Sequence, residues 1–218
     1  MLNYIFNIYL YFYRYKIRSK EFAIISDNCW GGEIYKCLNM QFNTPFIGLF
    51  IDGKNYIKLL ENFSFYLDQP LVFRMEENTK ADKINHPIGY LDDVEIHFLH
   101  YSSNIEAMKK WNRRVKRLKD TIHFDNCYFK IDDRDDTSVE ILNRFHDLKF
   151  KNKISFGIQQ LDNKNHISIL ENEDSKFVPD GVKLFFISLR YINIFNWIIT
   201  SNFQYAKKSR LKILIPIK

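Results

Sequence analysis

The chain has 218 residues, 46% of them apolar, and a net charge of +6. That suits one well-filled domain with a small appendage at most. Five Pro and seven Gly argue against a long disordered segment, and no dense basic–aromatic array marks an RNA-binding module, so nucleic acid is not an expected partner.

Residues 1–21 stand apart. An apolar, aromatic run over residues 5–13, broken only by Asn7, is followed by Arg14, Lys16, Arg18 and Lys20. The run is too short to span a bilayer, which takes about 20 residues. Charges that follow the apolar run, with no small-residue cleavage site, do not make a secretory signal. Two readings remain. The segment is either a helix in peripheral contact with the cytoplasmic leaflet, its basic residues on anionic headgroups, or a helix packed on the body or on a partner subunit.

Residues 22–26 read as a buried strand and residues 31–40 as a short helix after a glycine turn. A second strand is expected over residues 45–51, bounded by Asp52 and Gly53. Tyr56, Leu59, Leu60, Phe63 and Leu67 share one face of a helix over residues 56–67, which Pro70 ends. Residues 71–75 form a short strand and residues 76–86 a polar loop. Residues 88–91 and 94–100 read as a hairpin or two short strands. There Glu95 and His97 share a face, and His100 joins Val94 if the strand runs that far. Ser102 or Ser103 can cap a long helix over residues 104–119.

Strands over residues 128–131, 153–158 and 167–170 follow, with a helix over 137–146 between the first two. Residues 182–199 end in an aromatic helical stretch. Residues 22–51 and 129–158 share one order of elements. Ordinary α/β alternation explains this better than duplication. Twenty Phe and thirteen Tyr predict an aromatic core. The fold class is therefore α/β: a mostly parallel or mixed central sheet flanked by helices, with an aromatic N-terminal helix. One domain covers residues 22–200, and a basic tail covers 201–218.

The candidate sites lie where strands end, as in open α/β sheets generally. Asp27, Asn28, Cys29, Trp30, Gly31 and Gly32 follow the first strand. Their glycines and a helix start could hold a phosphate or carboxylate, or Trp30 could be a plug over a plain turn. Cys29 at that helix start would have a lowered pKa and, with His97 or His100 as base, would act as a nucleophile. Its bland alternative is a small buried hydrophobe.

Glu95, His97 and His100 could hold a divalent metal or supply acid–base groups, or decorate an edge strand. Trp111, Arg113, Arg114 and Arg117 could grip a phosphate and stack on a sugar or base. Otherwise they are a solvated basic face with Trp111 turned inward. Asp132, Asp133, Arg134, Asp135 and Asp136 could hold Mg²⁺ or Mn²⁺, or cap the next helix through Asp136 or Thr137. Cys29, Cys37 and Cys127 fit neither a zinc site nor a disulfide framework, which points to a reducing compartment.

These motifs together resemble a bacterial family often described as exopolysaccharide or capsule biosynthesis proteins. The resemblance rests on residues 22–32, 87–91 and 94–101, on Trp111 to Arg114, on Asp133 to Asp135, on Lys153 and Ile154, and on Trp197. It covers roughly residues 20–200 and implies a place in surface-polysaccharide assembly, without a reaction.

The reading that follows is a cytoplasmic, membrane-associated transferase with a phosphorylated, nucleotide-sugar-like donor. Asn28, Gly31, Gly32, Trp111, Arg113 and Arg114 would hold the donor. His97 or His100 would take a proton from an acceptor hydroxyl, and Asp133 or Asp135 would hold a metal or orient the acceptor. The alternatives are a non-enzymatic glycan- or phosphate-binding accessory protein of the same pathway, and a Cys29-dependent acyltransferase or hydrolase.

Overall fold

The computed structural model describes residues 2–74, 85–169 and 176–205. β1 (Ala23–Ser26), β5 (Cys127–Asp132), β6 (Asn152–Gly157) and β7 (His166–Ser168) lie in that order in one parallel sheet. Both faces of the sheet are covered, which is why these strands read as near-continuous apolar runs. Ala23, Ile25, Phe129 and Ile131 face one core, and Ile24, Tyr128, Ile154 and Phe156 the other.

On the first side pack α3 (Gly53–Glu61), α4 (Phe63–Asp68), α5 (Asn104–Thr121) and α6 (Val139–Asp147). With them lies a small antiparallel sheet of β2 (Leu71–Val72), β3 (Ile88–Leu91) and β4 (Val94–His97). On the second side pack α1 (Leu2–Ile17), α2 (Trp30–Leu38), α7 (Gly181–Ser188) and α8 (Ile194–Thr200). The expected α/β architecture, with a helix-flanked central sheet and an aromatic N-terminal helix, is present.

α1 buries Phe6, Leu10, Tyr13 and Ile17, spaced as one helical face. The Tyr13 and Phe195 rings lie 5.3 Å apart, and Asn193 donates to the Tyr13 hydroxyl at 2.9 Å. That face is packed on the body.

Several elements differ from expectation. Residues 45–51 form no strand. Gly48 turns the chain at φ +70°, and only Phe50 makes an antiparallel bridge, to His97. Without that strand the two similar stretches do not share an architecture. The helix expected over 56–67 breaks at Asn62, whose dihedrals are not helical, giving α3 and α4. Residues 182–199 form two helices, and Asn193 caps the second by accepting from the Asn196 N–H.

Ser103 caps α5, as one of the two expected serines. α6 is capped by Ser138, whose hydroxyl accepts from the Ile141 N–H, rather than by Asp136 or Thr137; Thr137 is packed against Gly53. β4 ends at His97, so His100 does not continue its alternation. Met75, most of the polar loop, Leu170 and residues 206–218 of the tail lie outside the described residues.

Candidate functional site

The parallel register pairs Ser26 with Lys130, so the chain leaving β1 meets the end of β5. Alternation along β5 puts Lys130 and Asp132 on one face, and both are fully buried. The Lys130 Nζ donates to Asp27 Oδ1 at 2.8 Å, to Asn28 Oδ1 at 3.1 Å, and to Asp132. Asn28 Nδ2 donates to Asp132 Oδ2 at 2.7 Å, and the Asp132 N–H donates to Asp27 Oδ2 at 3.1 Å.

Two carboxylates thus share one ammonium in a dry setting. Burial, and then the Asp132 charge, push the Asp27 carboxyl up to about 7 against the pull of Lys130. Burial works against the Lys130 charge, but Asp132 and Asp27 more than offset it and hold its pKa above the ordinary value.

Beside this cluster runs the segment of residues 47–53, hydrogen-bonded on every side. The Ile51 N–H donates to the Asp27 carbonyl at 2.8 Å, and the Gly53 N–H donates to the Asp135 carbonyl at 2.9 Å. Phe50 and His97 exchange backbone bonds, and the two rings stack at 4.3 Å. The His100 N–H donates to the Gly48 carbonyl. The Tyr101 hydroxyl donates to the Ile47 carbonyl at 2.6 Å and accepts from Arg114 at 2.6 Å. Asp27, His97, His100, Tyr101 with Arg114, and Asp135 therefore all border one short segment.

A polar chain runs through the hairpin at this edge. Tyr90 donates to Glu95 Oε2 at 2.9 Å. His97 Nε2 lies 2.8 Å from Glu95 Oε1, and His97 Nδ1 lies 3.1 Å from His86 Nε2. An ionised carboxylate only accepts, so a neutral His97 carries its proton on Nε2 and accepts from His86 on Nδ1. Among the described residues no hydrogen-bond partner meets His86 Nδ1, which makes it the base at the end of this chain. Burial, then the nearby His97, lower the His86 pKa. The geometry places a proton-accepting nitrogen at His86 and a carboxylate at the other end of the chain, while the lowered pKa makes His86 a weaker base than a free imidazole.

The other expected site residues divide. Gly31 lies inside α2, where an added Cβ would sit 2.8 Å from Ile24 Cγ2; the glycine serves close helix–strand packing. At Gly32 the same atom would be 3.9 Å from Ile47 Cδ1, so α2 also borders the segment. Trp30 is the plug: buried, 5.7 Å from the Phe156 ring, with its indole N–H on Ser188. Trp111 is turned inward against Phe46 and Phe98 and is closed to a stacking ligand. Arg113 is exposed, whereas Arg117 is spent on the Phe42 carbonyl.

Cys29 departs from expectation. Burial pushes its thiol above the ordinary value, because the half-buried position disfavours the thiolate, and no histidine hydrogen-bonds to it among the described residues. Two carboxylates of the acidic run at the end of β5 are already engaged within the protein. Asp132 is neutralised by Lys130, and Asp133 accepts from the Val178 and Ile158 N–H groups at 2.8 and 2.7 Å. Among the described residues no group of three or more His, Cys, Asp or Glu is placed to hold a metal.

In the sequence Asp27 reads only as the start of a motif, Lys130 as part of the strand over residues 128–131, and His86 as the end of a polar loop. A lone lysine inside an apolar strand was the available signal for Lys130. A further buried set also lay outside the sequence reading. Ser155 Oγ is 2.7 Å from both His146 Nε2 and His166 Nδ1, and His166 Nε2 meets the Gln159 carbonyl at 2.9 Å.

Over residues 2–199 the chain matches the family described as a domain of unknown function, DUF1919. The chain belongs to this family. It is also similar to an uncharacterized protein of Haemophilus influenzae, 38% identical over 141 residues. That match covers 65% of this chain and 64% of the relative.

Proposed function

We propose that the chain is a transferase of surface-polysaccharide assembly that moves a group from a phosphorylated donor, such as a nucleotide sugar, to an acceptor hydroxyl. The observation that carries this reading is the Glu95–His97–His86 chain, held by Phe50 beside the Asp27–Lys130–Asp132 cluster. His86 Nδ1 takes the acceptor proton as the acceptor oxygen bonds to the transferred group and that group's bond to the donor phosphate oxygen breaks, the phosphate leaving with its electron pair; His97 positions His86, and Glu95 offsets the positive charge. Net charge and the exposed Arg113 favour an anionic donor. The free Cys29, Cys37 and Cys127 support a cytoplasmic location. The link to polysaccharide rests on the family resemblance of the sequence motifs.

A second reading has its own observation. Asn28, assigned to the donor, spends its amide on Asp132 and Lys130, and Arg114 gives Nη1 to Tyr101, which leaves the exposed Arg113 to meet an anionic ligand away from the buried cluster. A glycan- or phosphate-binding accessory protein of the same pathway needs no reacting groups there.

The test is a thermal-shift screen with nucleotide sugars, free nucleotides and phosphorylated polyols, each with and without Mg²⁺ or Mn²⁺. A donor that raises the melting temperature is then given acceptors. Turnover should fall about 10²–10⁴-fold in His86→Gln, the size of a lost general base. Binding of a donor or glycan that is never turned over would favour the accessory protein instead.

A further inference from the structure

α1 has two different faces. Its inner face is packed on α2 and α8, while on its outer face Ile8, Tyr11, Phe12 and Tyr15 are each more than half exposed. Their spacing of three, four and seven residues makes one continuous stripe along the helix. A contiguous exposed aromatic stripe on a folded chain marks a contact surface.

Charge says what the surface fits. No Asp or Glu precedes Glu21, while Arg14, Lys16, Arg18 and Lys20 follow the stripe toward the end of the helix. Lys16 lies over the Phe12 ring at 4.3 Å and Arg18 over the Tyr15 ring at 4.6 Å, so cations and aromatics occupy one face. Beside them a cleft of about 790 Å³ is lined by Tyr11, Arg14, Tyr15, Arg18 and Lys20, with Glu21 its only acidic residue; Arg14 and Lys20 each give a hydrogen bond to a backbone carbonyl, of Cys37 and Ile199, so the exposed Lys16 and Arg18 carry the outward charge. No described helix is long and apolar enough to cross a membrane.

We propose that α1 docks the chain onto an anionic membrane surface, with Ile8, Tyr11, Phe12 and Tyr15 in the headgroup–acyl boundary and the basic cleft on lipid phosphates. Aromatic rings at the interface and basic residues beside them are the two parts of such a contact. The inner face of α1 stays on the body, so docking needs no unfolding. This inference is independent of the proposed reaction.

The test uses the full chain and co-sedimentation with phosphatidylcholine vesicles, with and without phosphatidylglycerol. The wild type should pellet with the anionic vesicles, and less so in high salt. Phe12→Ser with Tyr15→Ser should weaken binding about tenfold or more. Lys16→Glu with Arg18→Glu should remove the preference for anionic lipid, each lost cation weakening binding about fivefold. All four side chains are exposed, so the melting temperature should hold, and Ile105→Ser on exposed α5 surface should change nothing. Failure of the wild type to pellet would overturn the proposal, as would equal binding to neutral vesicles or wild-type binding by the serine variant. A soluble dimer that the serine variant dissociates, without vesicle binding, would assign the stripe to a second copy instead.

Discussion

Lys130 is the residue on which the buried charge cluster turns. Its ammonium is the counter-charge to both Asp27 and Asp132, neither of which can reach water. Lys130→Met should therefore cost about 3–5 kcal/mol in chemical denaturation, the usual penalty for stranding a buried partner. His146 gives a second test at this scale. Burial first, then Lys153 and His166, lower its pKa from 6.5 to about 4. A base with a depressed folded pKa contributes fully above its unfolded value and loses that contribution as pH falls. Stability should decline between pH 6.5 and about 4, and His146→Gln should flatten that limb. Asp27 acts with the opposite sign. Its raised carboxyl favours the fold at low pH and loses that effect as pH climbs from the ordinary carboxylate range toward 7.

Elements carry the next constraint. Gly48 adopts φ +70°, and an added Cβ would lie 3.2 Å from His100 Cβ and 3.3 Å from the Tyr101 ring. Gly48→Ala should cost about 1–2 kcal/mol from the left-handed backbone alone. It should also loosen the segment of residues 47–53, which a drop in amide-exchange protection at Phe50 and Ile51 would show. The strand expected there was a fair reading of an apolar run. The run is buried because it threads between β1 and β4, a placement that produces the same hydrophobicity without a ladder. The hairpin and α5 were legible because period, cap and turn residues agree locally. His86 was not, because the register Ile88↔His97 alone brings the residues before β3 alongside the end of β4.

At the scale of the whole molecule, the parallel sheet divides two cores, and α1 closes one of them. Phe6, Leu10, Tyr13 and Ile17 each bury most of their surface there, worth about 1.5–3 kcal/mol apiece. A chain lacking residues 2–17 should lose its sharp thermal transition and bind a hydrophobic dye. α1 is thus a structural element first, whatever its outer face meets.

The α/β class, the parallel strands and the polar character of their ends follow from the sequence by itself, because periodicity and capping report which faces are buried. Those signals are local and act over a few residues. The tertiary structure decided which polar groups meet: Asn28 and Asp132 are 104 residues apart, yet share a hydrogen bond. Strand order and parallel register bring them together, and no local pattern encodes either. Burial then turned Lys130 from an odd residue in an apolar strand into the centre of a charge cluster, placed Trp111 in the core, and raised the Cys29 thiol away from the thiolate a nucleophile needs.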